Sequence, residues 1–171
     1  MKKIETEKKY IILKIDAKTL EEQNAFTSSE ITQIYLSDSE MTHRIRKRVY
    51  ADGVTEYTEN TKKRISVMSS VESENIIGAE RFESLKENIE PGSRALKKTR
   101  ITFEYSSKTF EIDVYPEWKN TCILEVELDR EDENIDFPDF LTILADVTGK
   151  KEYSNHSMAH RFVQELYSGE K

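Results

Sequence analysis

Charged and apolar residues alternate one by one along several stretches of this chain. Ile4-Glu5-Thr6-Glu7-Lys8-Lys9-Tyr10, Arg44-Ile45-Arg46-Lys47-Arg48-Val49, Phe110-Glu111-Ile112-Asp113-Val114 and Leu124-Glu125-Val126-Glu127-Leu128 share the pattern. A period of two means a β-strand with alternate side chains on opposite faces. On an ordinary half-buried sheet the polar face is wet and its residues vary freely in type. Here they recur as two acids or two bases, about 7 Å apart along the strand. Several pairs of each sign in one chain suggest a surface that binds cations and anions together.

Alternation and turn signals predict strands near 3–14, 31–37, 41–50, 54–62, 69–76, 96–104, 109–115 and 121–129. Asp52-Gly53 reads as a two-residue hairpin turn, and Ser106-Ser107-Lys108 as a second turn. Helices are expected near 17–23, 79–88, 137–146 and 156–167. The third has Pro138 in its first turn, and Phe137, Phe140, Leu141 and Leu144 fall at helical spacing. Met158, Phe162, Val163 and Leu166 do the same in the fourth. These helices need an apolar sheet face to cover. Ile12, Ile45, Val49, Ile112, Val114, Leu124, Val126 and Leu128, opposite the charges, supply it. The charged face then points inward if the sheet closes. About eight mostly antiparallel strands close a barrel just wide enough for side chains and one small ligand. The expected class is α+β: an eight-stranded antiparallel closed β-barrel with helices packed outside.

The 171 residues suit one domain spanning 1–171. Charged residues make up 35% and hydrophobic ones 36%, so polar side chains must enter regular structure. The net charge of −7 argues against a general nucleic-acid binder, which needs a basic footprint. No apolar run approaches the roughly 20 residues of a membrane span, and no signal-peptide pattern opens the chain, so no membrane association is expected and the cytoplasm is the expected compartment. Cys122, in the apolar setting Cys122-Ile123-Leu124, reads as a small core residue. His43, His156 and His160 read as surface or packing residues, and Trp118 as loop packing. No Cys/His cluster reads as a zinc site, so zinc is not expected, and no Gly-x-x-x-x-Gly-Lys-Ser/Thr loop is present.

The order of the pairs resembles the CYTH family, also called triphosphate tunnel metalloenzymes. Glu5-x-Glu7-x-Lys9 is followed by Arg44-x-Arg46, Lys62, Glu72-x-Glu74, Lys98-x-Arg100, Ile112-Asp113-Val114 and Glu125-x-Glu127, so the match runs from Ile4 to about Ala159. The resemblance implies an eight-stranded tunnel that binds a triphosphate and a divalent metal, Mg²⁺ or Mn²⁺. Glu5, Glu7, Glu125 and Glu127 match the family's metal-binding acids. Lys9, Arg44, Arg46, Lys62, Lys98 and Arg100 match its phosphate-binding bases, and Glu72, Glu74 and Asp113 match further acidic tunnel positions. Tyr35 falls where some triphosphatases of the family pair a tyrosine with the first-strand lysine, here Lys9, implying that the two orient or deprotonate an attacking water. Val147-Thr148-Gly149-Lys150-Lys151-Glu152-Tyr153-Ser154-Asn155 resembles a segment closing one tunnel end, with Lys151 at a basic position.

The chain departs from the family pattern at Ser70, where an arginine is usual, at Asn60, where threonine is common, and at Lys150, where an acid is common. Lys63 and Arg64 are candidate replacements for the missing arginine. Glu111 and Arg48 read either as tunnel members or as rim charges, whereas Lys8, Lys47, Lys63 and Lys97 point outward by alternation. The expected activity is metal-dependent hydrolysis of inorganic triphosphate or a small organic triphosphate. A class IV adenylyl cyclase would use the same residues with the bound chain in another register, and a non-catalytic polyphosphate-binding module is the third reading. A small triphosphate is the expected partner, nucleic acid is not, and a homodimer is left open.

Overall fold

The alternating stretches are strands in the computed structural model, which describes residues 2–23, 25–38 and 40–167. Residues 1, 24, 39 and 168–171, included in the single-domain expectation, lie outside the described residues. In chain order the strands are β1 (Lys2–Leu13), β2 (Phe26–Leu36), β3 (Thr42–Tyr50), β4 (Thr55–Arg64), β5 (Ser69–Ile76), β6 (Leu96–Tyr105), β7 (Lys108–Val114), β8 (Thr121–Leu128) and β9 (Ile143–Asp146). Among the described residues three short α-helices, α1 (Ala17–Glu22), α2 (Ala79–Leu85) and α3 (Asn155–His160), and 3-10 turns at Lys86–Asn88 and Lys151–Tyr153 complete the set.

Strands β5, β4, β3, β2, β6, β7, β8 and β1 follow one another around the sheet, and β1 returns to β5 to close it. Every neighbouring pair is antiparallel. The result is the expected eight-stranded barrel, with β9 as an additional strand outside the closed set. β5 covers β1 only over Lys2 to Thr6, and β9 takes the same edge at Tyr10 to Ile12. Between them Glu7 N–H donates to Met68 O at 3.1 Å, and Lys9 N–H donates to Thr148 Oγ1 at 3.0 Å. No strand edge of β1 is left open there.

Registers place the charges inside. Glu7 stands opposite Glu127, Lys9 opposite Glu125, Arg100 opposite Asp113, Arg44 opposite Asn60 and Lys62 opposite Glu72. Outward residues Ile12, Ile112, Leu124, Val126 and Leu128 form one core with Phe110 and Leu141, and Phe137 and Phe140 pack on it. Across the barrel Ile34, Leu36 and Ile45 lie under Phe82 of α2. Each such side chain contributes about 1.5–3 kcal/mol on burial. Inside, the charges stop at one end, where Ile11, Leu96, Tyr115 and Ile123 meet Trp118, Tyr153 and Met158. This apolar plug closes one end of the tunnel. Trp118 donates its Nε1–H to Val163 O at 3.0 Å, as a packing residue would. Cys122 is fully buried, and burial pushes its thiol up to about 12.

The structure overturns two helix expectations. Residues 137–146 are not helical: Leu141 N–H closes a turn on Pro138 O at 3.0 Å, and Ile143–Asp146 forms β9. Phe137, Phe140 and Leu141 still face the barrel, so the apolar spacing marked burial correctly. The unpaired edge of β1 beyond β5 recruits the rest as a strand. Residues 156–167 are helical only through His160, and Arg161 is extended. The remainder is held by tertiary contacts instead, with Glu165 accepting from the backbone N–H groups of Asn120 and Thr121 at 2.5 and 2.7 Å. β2 begins five residues before the expected 31, because pairing from Phe26 with β6 supplies what alternation does not signal. The first hairpin loop runs over residues 51–54, longer than two residues, with Gly53 at φ +86° where glycine is unstrained. Ser106 and Ser107, at φ 49° and 62°, make the two-residue turn of the second hairpin.

Candidate active site

The strands enclose a cavity of about 460 Å³, within the roughly 300–1,000 Å³ usual for small-ligand sites. Its wall carries ten basic and seven acidic side chains, so the interior is net basic although the chain is net acidic. Glu5, Glu7, Lys9, Tyr35, Arg44, Arg46, Lys62, Glu72, Glu74, Arg100, Glu125, Glu127 and Lys151 all line it. Lys98 and Asp113 do not. Both are fully buried behind the wall, with Lys98 Nζ 2.6 Å from Asp113 Oδ2 and 3.3 Å from Asn155 Oδ1.

The bases divide by what already holds them. Arg100 is engaged: Nε and Nη2 donate to Asp113 at 2.7 and 2.8 Å, Nη1 pairs with Glu111, and Nη2 lies 3.6 Å from Glu125. Arg44 and Arg46 are not: the Nε of each is buried without an acceptor. Opposite them on β4, Asn60 Nδ2 and Oδ1 and Thr58 Oγ1 are also buried and unpaired. Arg46 has one partner, Gln33 Oε1, at 3.2 Å. Burial first, then Arg44 and Arg100, pull Arg46 down to about 10, the sign expected of a crowded cation without an anion. Polar atoms buried without partners cost about 1–3 kcal/mol each, so this wall is built at a stability cost that a ligand can offset.

The acids are held by lysines. Lys62 Nζ bridges Glu5 Oε2 at 3.3 Å and Glu72 Oε1 at 3.2 Å, and Lys9 Nζ lies 3.5 Å from Glu125 Oε1. Burial, then the Glu125 carboxylate, push Glu7 up to about 8 against the pull of Lys9 and Lys62. Burial also raises Glu5, which hydrogen-bonds Glu72. Burial alone would raise Glu72, but that bond together with Lys62 and Arg44 outweighs it and holds Glu72 down to about 2. Burial takes Glu111 to about 7, whereas Lys9, Arg100 and Lys98 outweigh burial at Glu125 and hold it well below the carboxylate range. Burial raises Glu5, Glu7 and Glu111 on this part of the wall, the sign of acids crowded together without enough cations beside them. Oxygen donors of this kind suit Mg²⁺ or Mn²⁺, so the residues fit a hard divalent ion.

Tyr35 and Lys9 both reach the cavity but do not pair. Tyr35 Oη accepts from Gln33 Nε2 at 3.1 Å, and Lys9 donates to Tyr153 O at 3.2 Å. Among the described residues no hydrogen bond joins them. Arg64 lines the cavity across from Ser70, so a base stands beside the position where the family pattern lacks its arginine. Glu111 and Arg48 are wall members too. Glu111 was legible from sequence, since it precedes Asp113 by two and so shares its face. Gln33 carried no signal in sequence, because a single amide on a strand has no pattern, and Asn60 stood out only as a departure from the family pattern.

His43 bonds Glu59 at 3.0 Å, away from the cavity, as a surface residue would. His156 differs from its reading: it lines the cavity, and its ring lies 5.0 Å from that of Tyr35. His156 and His160 both meet Glu90. Among the described residues this is the one trio of His, Cys, Asp or Glu whose ligand atoms all lie within 4.8 Å of one another. Among the described residues no three tunnel acids come that close together. Also among the described residues, no helix is long and apolar enough to cross a membrane.

No family model matches the chain, and no curated protein matches it. Solved structures do. One is inorganic triphosphatase NE1496, 24% identical with a TM-score of 0.59, covering 91% of this chain and 94% of that one. A second structure, of hypothetical protein NE1496, gives 24% identity and a TM-score of 0.57, covering 91% and 97%. PH1012 protein from Pyrococcus horikoshii OT3 is 17% identical with a TM-score of 0.54, covering 75% and 80%. At these identities the likeness is one of fold, and this chain takes the closed antiparallel tunnel fold of inorganic triphosphatase NE1496.

Proposed function

We propose that this chain is a CYTH-type triphosphatase that uses a divalent metal to hydrolyse inorganic triphosphate or a small organic triphosphate inside the tunnel. The observation that carries this reading is the partnerless wall of β3 and β4, where Arg44 Nε, Arg46 Nε and Asn60 are buried with nothing to bond. Guanidinium forks match phosphate oxygens two at a time, so this wall fits a polyanion. The fold shared with an inorganic triphosphatase supports it.

In this mechanism Arg44 and Arg46 bind the phosphate chain and Lys62 leaves its bridge between Glu5 and Glu72 to join them. Arg64 and Lys151 contribute charge from the wall. A Mg²⁺ or Mn²⁺ ion held by Glu5, Glu7, Glu125 and Glu127 would supply positive charge against the phosphate oxygens. Asp113 holds Arg100 and Lys98 in place. Those two act as supports rather than as the direct phosphate contacts the resemblance implies. Tyr35 Oη accepts from Gln33, which leaves its own O–H to donate to a phosphate oxygen or to the attacking water. Lys9 is anchored by Tyr153 O and orients its remaining N–H toward the cavity. The residues thus act mainly by positioning and by cancelling charge, which is what phosphoryl transfer requires.

The test is a panel of inorganic triphosphate, ATP, GTP and thiamine triphosphate with Mg²⁺ and with Mn²⁺, with every product identified. Orthophosphate release with water attack at the terminal phosphorus is expected. Cyclic AMP plus pyrophosphate from ATP would make the chain a cyclase, and tight binding without turnover would make it a binding module.

A further inference from the structure

His156 and His160 stand one turn apart on α3, so their rings share a face. That face meets a carboxylate from 66 residues away: Glu90 Oε2 lies 2.7 Å from His156 Nε2 and 3.3 Å from His160 Nε2. Four ligands at the roughly 2.0–2.1 Å bond lengths of tetrahedral zinc sit about 3.4 Å from one another. The trio therefore needs only small side-chain rotations to take an ion at its centre.

The backbone beneath is fixed from both sides. Glu90 N–H donates to Tyr35 O at 2.8 Å, which ties its loop to β2. Arg94 N–H donates to Ala159 O at 2.9 Å, which ties the same loop to α3. Ser154 caps α3 by accepting from Ser157 N–H at 3.1 Å, and Met158 and Ala159 are fully buried. The ligand positions are set by packing that does not involve the three side chains themselves.

We propose that Glu90, His156 and His160 form a second metal site, for Zn²⁺ or a comparable borderline cation, separate from the tunnel carboxylates. Two imidazoles and one carboxylate make a donor set for zinc, with a fourth position left to water. The all-oxygen tunnel site selects hard cations instead, so the two sites discriminate by chemistry. Bound zinc fastens α3, part of the plug at the closed end, to the loop leaving α2. It also holds the His156 ring against Tyr35, so occupancy is felt at the tunnel wall.

The full chain, stripped of metal, is titrated with Co²⁺ as a spectroscopic probe in excess Mg²⁺, which occupies the oxygen site. One equivalent of Co²⁺ with the visible absorption of a low-coordinate imidazole site is expected, displaced by Zn²⁺, and Zn²⁺ raises Tm. His160→Gln and Glu90→Gln each weaken Zn²⁺ binding by at least about 10-fold. Glu5→Gln and Glu127→Gln leave the Co²⁺ spectrum as it was. A wild-type chain with neither Co²⁺ absorption nor a Zn²⁺-dependent Tm shows an ion-pair cluster only and overturns the proposal. So does a spectrum kept in His160→Gln and lost in Glu127→Gln, which assigns the ion to the tunnel.

Discussion

Arg44, Arg46 and Arg100 line one cavity and differ in what already holds them. Arg100 is matched by Asp113, Glu111 and Glu125, whereas Arg44 Nε and Arg46 Nε have no acceptor. Charge-assisted hydrogen bonds contribute about 1.5–3 kcal/mol each. Arg44→Ala or Arg46→Ala should therefore weaken inorganic triphosphate binding by about 10–100-fold in calorimetry with little change in Tm. Lysine at either position should not restore it, because the fork is lost. Equal losses from Lys47→Ala, on the outer face, would mean the registers are wrong. Glu7 gives a second prediction. Its folded value of about 8 lies above its ordinary 4.5, so the folded chain keeps a proton that the unfolded chain releases. The stability this supplies is full below the ordinary value and is lost as pH rises through about 8. Tm of the metal-free protein should fall between about pH 5 and pH 8, and Glu7→Gln should flatten that fall. An unchanged slope in Glu7→Gln would assign the titration elsewhere.

At the scale of elements, β6 and β7 are joined through their buried charges as well as their backbones. Asp113 accepts from Lys98 and twice from Arg100, all out of solvent. Burial pulls Lys98 down to about 7, against the attraction of Asp113, whose carboxylate Arg100 and Lys98 hold below its ordinary value against burial. Removing Asp113 takes from Lys98 the carboxylate it donates to and from Arg100 two of its hydrogen bonds, in a site closed to solvent. Asp113→Ala should thus cost about 3–5 kcal/mol in denaturant unfolding. Arg44→Ala, which breaks no such network, should cost far less. A loss under about 1 kcal/mol for Asp113→Ala would show that water reaches the pair. The seam between β5 and β9 depends on a close approach of another kind. Gly149 sits at φ +74°, and a Cβ there would run into Val67 Cγ1. Gly149 lets the 147–155 segment close against the hairpin between β4 and β5. Lys150 and Lys151 thereby reach the cavity.

For the whole molecule, the empty tunnel holds several of its acids with its own bases. Lys62 stands between Glu5 and Glu72, and Lys9 and Arg100 stand by Glu125. A polyphosphate draws Lys62 and Lys9 away and leaves their carboxylates to a cation, while Arg100 stays on Asp113. A cation in turn frees the bases for phosphate. The two ligands should therefore bind cooperatively, and linkage makes the effect reciprocal. Triphosphate affinity measured by calorimetry should rise by at least about 10-fold when Mn²⁺ replaces a chelator. Equal affinities in both buffers would mean that the acids and bases act as independent sites.

Alternation alone determined the interior of this protein. Parity assigned Glu5, Glu7, Lys9, Arg44, Arg46, Glu125 and Glu127 to one face and the apolar residues to the other, a local property that every strand carries in its own residues. Which base is free and which is spent was decided only by tertiary structure. That Arg100 faces Asp113 while Arg44 faces an unpaired Asn60 follows from register between strands far apart in sequence. The same holds for Tyr35, which bonds Gln33 rather than Lys9, and for Glu90, which meets His156 across 66 residues. Residues 143–146 became a strand because β1 had an edge to pair, against their own helical spacing. Periodicity reports the face a side chain takes, whereas its partner depends on chain closure that no local pattern encodes.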